Sequence, residues 1–141
     1  HNQFNRLDHL KKFRNLNRNL LIKKITKSEK WNNQFEFIAV PNNIDPSWMG
    51  LPILISERFK EKKKRFINYL DKIGIETRPI ISGNFANQPA AKLYELCKKN
   101  EKFENSQKVQ DLGFLIGLHT KKISKNSLKL IHDAFFMIDQ I

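Results

Sequence analysis

Large apolar residues recur at helical spacing almost from the start of the chain. Phe4, Leu7, Leu10, Phe13 and Leu16 fall three apart, the repeat of one helix face. The pattern predicts a helix running to about Ile25 and stopping in the polar stretch 26–33. The chain opens on His1 rather than Met and no capping pattern precedes the stripe, so this helix is expected to begin upstream. Residues 35–40 alternate aromatic and other side chains before Pro41-Asn42-Asn43, which reads as a strand leaving into a loop. Residues 48–56 are apolar on both faces and form a second strand, with Pro52 pointing to an edge position or a bulge.

Over 57–72 the period returns to that of a helix. Phe59, Phe66, Ile67, Leu70 and Ile73 make its stripe, Gly74 stops it, and Lys62, Lys63 and Lys64 lie off the stripe as a solvated face. Residues 75–81 read as a third strand, broken at Ser82-Gly83-Asn84. A short helix is expected from Gln88 to about Cys97 with Pro89 in its first turn, then a solvent loop over 98–102. Asn105 or Ser106 can cap another helix ending at Gly113; residues 114–119 form a fourth strand; and a last helix from Ser124 or Asn126 buries Leu128, Ile131, Phe135 and Ile138. These elements predict an α/β (α+β) fold in one unit: a small mixed sheet of about four strands packed with helices, with a long N-terminal helix. No internal repeat or low-complexity linker divides it.

Composition bounds this reading without redirecting it. With 141 residues and 40% apolar content, the chain can bury a core, although its mean hydropathy is −0.56. A single cysteine, Cys97, excludes a disulfide framework and a cysteine-based zinc cluster. No apolar run is long enough for a membrane span and no signal peptide opens the chain, so the expected setting is cytoplasmic.

Charge poses a sharper question. The net charge is +12, an excess of the kind that attracts nucleic acid or anionic lipid. It is concentrated in two helix-like segments: residues 1–30 carry nine basic and two acidic side chains, and residues 57–72 carry seven and three. The basic residues are 20 lysines and only six arginines, whereas base and phosphate recognition favours the arginine fork. A basic nucleic-acid- or anion-binding module is therefore the alternative against which other readings are weighed.

Catalytic motifs are sparse. HExxH, GxSxG, P-loop and GxGxxG patterns are absent, His9 and His132 have no metal-ligand partner at matched spacing, and Cys97 reads as a small core residue. Two loops remain. In Thr77-Arg78-Pro79-Ile80-Ile81-Ser82-Gly83-Asn84-Phe85 an arginine interrupts an apolar strand. It must meet an anion or a carboxylate if buried, and the Ser-Gly-Asn that follows lets the backbone approach a ligand closely. The alternative is that Arg78 pairs with Glu76 or Asp111 and the loop merely turns. The second loop is Gly117-Leu118-His119-Thr120, at the carboxyl end of a strand, where open α/β sheets bind ligands. His119 is either a polar contact there or a solvent-facing residue.

Taken in order, several segments resemble the C-terminal domain of the DegT/DnrJ/StrS-type pyridoxal-phosphate (PLP) enzymes that remodel nucleotide sugars. They are Gln3-Phe4-Asn5-Arg6-Leu7-Asp8, Asp45-Pro46-Ser47-Trp48-Met49-Gly50-Leu51-Pro52-Ile53, Gly74-Ile75-Glu76-Thr77-Arg78-Pro79, Gly83-Asn84-Phe85, Gln88-Pro89-Ala90 and Gly113-Phe114-Leu115-Ile116-Gly117-Leu118-His119. The Gly-Asn-Phe loop is most similar to the branch of keto-deoxysugar 3-dehydratases of lipopolysaccharide synthesis. Plain sugar aminotransferases of the family more often carry a histidine-containing loop there.

The resemblance implies that residues 1–141 are a single C-terminal small domain of a fold-type I PLP enzyme, inactive alone. A large N-terminal domain, missing here, would hold the cofactor and the proton-transfer residues. No catalytic, cofactor or metal residue is then expected in this chain. Arg78, Gly83, Asn84, Phe85 and His119 match substrate-side positions on a nucleotide-linked keto-deoxysugar. The further expectations are amino transfer or 3-dehydration, a homodimer in the full enzyme, and no nucleic-acid or membrane partner. A surface normally covered by the missing domain should expose an apolar patch.

Overall fold

The computed structural model describes residues 4–98 and 101–141. After a short 3-10 turn over Phe4–Arg6, helix α1 spans Leu7–Thr26. Residues 1–3, where the helix was expected to enter, lie outside the described residues. Only the second half of α1 reaches the core: Asn17, Leu21 and Ile25 are buried, whereas Phe4, Leu7 and Leu16 of the predicted stripe are exposed.

Strand β1 covers Phe35–Phe37, β2 Gly50–Ile55, β3 Thr77–Arg78 and β4 Gly113–Gly117, in sheet order β1-β2-β4-β3. Four strands were expected, but every pairing is antiparallel, so the sheet is not mixed. Two prolines account for the short strands. The Ser56 amide donates to the Gln34 carbonyl at 2.8 Å, and hydrogen-bonded pairs alternate along an antiparallel ladder. Pro52 is thus the position that should next donate to Ile38, and it has no N–H. The ladder stops at Phe37 and the Arg18 guanidinium takes the Ile38 carbonyl instead, while its carbon stands 4.6 Å from the Trp48 ring centroid. Pro52 therefore sits in a central strand rather than at an edge, tolerated because its neighbour ends beside it. Pro79 similarly follows the last residue of β3.

The predicted helix 57–72 divides into a 3-10 segment over Glu57–Lys62 and helix α2 over Lys63–Lys72. Gly74, at φ +85°, closes α2 with the Gly74 amide on the Asp71 carbonyl and the Ile75 amide on the Leu70 carbonyl, the paired bonds of a Schellman stop. Lys62 and Lys63 are half-buried rather than solvated: Lys62 donates to the Ile138 carbonyl and Lys63 to the Gln110 carbonyl. Helix α3 is only Pro89–Leu93, because Glu95 enters the left-handed region at φ +50° and ends it with the same bond pattern that Gly74 makes. Of the predicted 98–102 loop, residues 99 and 100 lie outside the described residues. Helix α4 spans Glu104–Leu112 and passes directly into β4; α5 spans Lys125–Phe135 with Ser124 as its cap, as predicted.

One ring each from β1, α2, β4 and α5 meets in the core. Phe35 lies 4.9 Å from Phe135 and 5.7 Å from Phe66, and Phe66 lies 6.1 Å from Phe114, centroid to centroid. Leu51, Ile53 and Ile55 of β2 and Ile116 and Leu118 at β4 complete this layer. Two buried amides fix what surrounds it. Gln34 bonds the Lys30 carbonyl, the Asn32 amide and the Asp139 carboxylate. Asn17 donates to the carbonyls of His119 and Lys121 at 2.9 and 2.8 Å and accepts the Ile123 amide at 2.9 Å.

Asn17 thus holds the entire turn after β4 against α1. Asn17→Ala strands three backbone groups and is expected to destabilise the fold by about 3 kcal/mol, read as a lower urea midpoint at unchanged slope. A loss below about 0.5 kcal/mol would show that the turn closes without it.

Candidate functional site

Arg78 ends β3, opposite Leu115 of β4. Its side chain is exposed, and its Nε and one terminal nitrogen reach the same Glu76 carboxylate oxygen at 3.0 and 2.8 Å. Of the two carboxylates considered from the sequence, Glu76 is its partner; Asp111 instead pairs with Lys60 at 2.9 Å. Arg78 is therefore not desolvated, and its guanidinium lies at the rim of two grooves. One, of about 620 Å³, also draws on Lys63, Ser82, Gly83 and Gln88. The other, of about 500 Å³, has a more apolar lining that includes Met49, Leu115, Gly117 and Leu130.

The loop after β3 turns back through Ser82 and Gly83, both left-handed at φ +65° and +52°. Gly83 has a steric reason as well: a Cβ there would stand 2.9 Å from Gln110 Cβ and Cγ. The next residue, Asn84, is buried and hydrogen-bonded at its backbone amide and at both ends of its side chain. Its backbone amide donates to Gln110 Oε1, its side-chain amide to Gln107 Oε1, and its Oδ1 accepts the Ala86 amide. Asn84 also lines a groove of about 860 Å³ between α3 and α4. Phe85 presents its ring outward, 49% exposed. The Gly-Asn pair therefore shapes the loop, and Arg78 and Phe85 are what the loop shows to solvent.

His119 does not join them. Because β3 runs antiparallel to β4, the chain beyond Arg78 travels toward Gly113, whereas His119 lies past the opposite end of β4 at Gly117. Four residues separate His119 from the Arg78 partner Leu115, roughly 13 Å along an extended strand. His119 is exposed, and its Nδ1 accepts the Lys121 amide at 3.0 Å. The strand-end rule that drew attention to it belongs to parallel sheets and does not carry over to this antiparallel one.

The basic segment at 57–72 is largely spent on the protein itself. Arg58 donates to the Asn32 carbonyl and Arg65 to the Ile141 carbonyl; Lys60 pairs with Asp111 and Glu57. Burial pulls the Lys63 ammonium below its ordinary pKa, and Lys60, with Gln107, holds Asp111 below the usual carboxylate range. At the junction of α1 and α5, Ser28 Oγ lies 3.1 Å from His132 Nε2 and His132 Nδ1 lies 2.8 Å from Asp133. None of the grooves above reaches Ser28, and the His132 ring packs against Phe136, so this array is a helix clamp. No group of three or more metal-ligating side chains and no helix long and apolar enough to cross a membrane occurs among the described residues.

Sequence reasoning missed Asn17, Gln34, Gln107 and Gln110, the amides that hold these loops. For Asn17 the signal was a polar residue falling among apolar positions of a helix, between Phe13 and Leu21; Gln34 lies outside any helix, just before β1.

The family model described as the DegT/DnrJ/EryC1/StrS aminotransferase family matches residues 1–135. The lipopolysaccharide biosynthesis protein RfbH of Salmonella typhimurium is 29% identical over 87 residues, which are 60% of this chain and 20% of RfbH. Among solved structures, the Escherichia coli GDP-4-keto-6-deoxy-D-mannose-3-dehydratase with bound hydrated PLP superposes with a TM-score of 0.79 at 19% identity, over 95% of this chain and 33% of that one. PseC of Helicobacter pylori, an aminotransferase of pseudoaminic acid biosynthesis, gives a TM-score of 0.66 at 17% identity over 92% of this chain and 32% of its own. These likenesses show the fold, and the chain spans between a fifth and a third of these proteins.

The helix clamp has a pH signature of its own. Hydrogen bonds from Lys129 and His132 hold the Asp133 carboxyl down at about 2. A pKa depressed in the folded state contributes stability above the ordinary carboxylate value that is lost as the pH falls toward 2. Asp133→Asn is expected to flatten the acid limb of stability between about pH 4 and 2 and to leave it unchanged near neutrality. An identical acid limb in wild type and variant would count against the clamp.

Proposed function

Because this chain belongs to the DegT/DnrJ/EryC1/StrS aminotransferase family, we propose that it is the small C-terminal domain of a PLP-dependent enzyme acting on a nucleotide-linked keto-deoxysugar in lipopolysaccharide sugar synthesis. The observation that carries this reading is the superposition of 95% of the chain on one third of a GDP-4-keto-6-deoxy-D-mannose-3-dehydratase. The dehydratase branch is favoured over plain amino transfer by the Gly83-Asn84-Phe85 loop and by the higher TM-score to that enzyme than to PseC.

The residues of this chain do not make the cofactor's own site. Lys63 is a lysine whose pKa burial lowers, as a Schiff-base lysine requires, yet its Nζ is bound to the Gln110 carbonyl at 3.0 Å. Holding PLP falls to the two thirds of the enzyme that this chain does not cover, in which the cofactor supplies the electron sink. The role left to this chain is recognition. Arg78 offers an exposed guanidinium, rotatable away from Glu76, to the phosphates of a nucleoside diphosphate. Phe85 offers a ring face to a sugar or base, and Gly83 and Asn84 fix the loop that presents both. His119, at the other end of β4, is a separate contact.

Other surface features support a larger assembly. Ile81, Phe85, Leu93, Tyr94 and Leu96 expose between 49% and 79% of their area, an apolar set suited to cover by the rest of the enzyme and its homodimer partner. Nucleic acid and membrane are not proposed as partners, since five of the seven cations of residues 57–72 are engaged by the protein itself. The setting proposed is cytoplasmic.

In the PLP-loaded enzyme containing this chain, Arg78→Ala is expected to raise KM for the GDP-linked keto-deoxysugar about tenfold, the value of one charge-assisted contact, with the cofactor absorbance unchanged. Unaltered KM and kcat would make Arg78 a partner of Glu76 and nothing more.

A further inference from the structure

The turn carrying Phe85 does not hold its shape by itself. Ser82 sits in the left-handed region without being glycine, a conformation that persists only where the surroundings impose it. The residues that follow it are held from α4. Gln107 Oε1 accepts from Asn84 Nδ2 at 3.0 Å and from Asn87 Nδ2 at 2.8 Å, while Gln110 Oε1 accepts the Asn84 backbone amide at 3.1 Å. Both asparagine amides can only donate through nitrogen, so Gln107 must face them with oxygen.

What orients the Gln107 amide is on its other side. Its Nε2 donates to Asp111 Oδ1 at 2.8 Å, and Asp111 Oδ2 accepts from Lys60 Nζ at 2.9 Å. An ionised carboxylate only accepts, so it selects the NH₂ end of Gln107 and leaves the oxygen for the turn. Lys60 and Gln107 both favour the ionised form of Asp111. The direction of every bond from Lys60 through Asp111 and Gln107 to Asn84 and Asn87 is thereby fixed, and a reversed amide at 107 would set a donor against two donors.

We propose that Gln107 is a positioning residue: oriented by the Lys60–Asp111 pair, it clamps the 83–87 turn onto α4 and so sets where Phe85 is presented. Its bearing on substrate rests on the function proposed above. The 3-10 segment before α2, which carries Lys60, is thereby linked to the turn through α4.

Hydrogen exchange on the 141-residue chain tests the clamp independently of any activity. In Gln107→Met, similar in shape but without the amide, the Asn84 and Ala86 amides are expected to exchange about tenfold faster, as for a local opening. Amides of β2 and β4 should keep their rates. Asp111→Ala, which leaves Gln107 in place but free to flip, should loosen the same amides in the same direction. Uniform acceleration across the chain, or none in the turn, overturns the proposal. The second readout is kinetic, in the PLP-loaded enzyme containing this chain, where Gln107→Met should raise KM for the GDP-linked sugar with the cofactor spectrum preserved. Selective loosening of the turn with an unchanged KM leaves the clamp standing and removes the substrate-side role of the loop.

Discussion

Four phenylalanine rings drawn from β1, α2, β4 and α5 share one contact, and the placement of nearly everything else follows from it. Phe66 stands edge-on to both Phe114 and Phe135, at interplanar angles of 84° and 85°, the arrangement aromatic quadrupoles prefer. Packed this way, α2 and α5 lie on the same side of the sheet and β4 is locked in register between β2 and β3. That register decides which residues sit at which end. It carries the loop of Arg78 and Phe85 toward Gly113 and sends His119 past Gly117.

Much of this architecture was legible because it is written in apolar spacing. The stripe Phe66, Leu70 and Ile73, the inward Phe114 and Ile116, the stop at Gly74 and the cap at Ser124 are local signals with local causes. The errors have nonlocal causes. Pro52 looked like an edge residue because a strand interior needs its N–H; that the neighbouring strand ends just there, and that Arg18 from a distant helix covers the freed carbonyl, is invisible to spacing. The exposed front of α1 shows the same limit, since Phe4 and Leu7 repeat like core residues but stand exposed. Glu95 ends α3 in a conformation normally left to glycine, which no propensity would suggest.

The candidate site divides along the same line. That Arg78 and the Gly83-Asn84-Phe85 loop are candidates was readable from their chemistry and from family resemblance; how they are held was not. Asn84 is polar and sits in a glycine turn, so its amide reads as a ligand group, yet its backbone amide, side-chain nitrogen and Oδ1 are engaged by Gln110, Gln107 and Ala86. Burial converts polar residues from recognition groups into scaffold, because an amide removed from water must be satisfied within the fold. The groups the scaffold leaves outside are a guanidinium and a phenyl ring.

The pairing of β2 with β4 joins residues about sixty positions apart, and the core is closed by Phe135 and Ile138, about eighty residues beyond β2. During synthesis, then, neither the sheet nor its aromatic centre can form before β4 and α5 have both emerged; the ordering entropy of the intervening segment is met before any of these contacts repays it. Until α5 clears the exit tunnel this segment is held unfinished with several phenylalanines exposed, the stage at which chaperone binding would matter most.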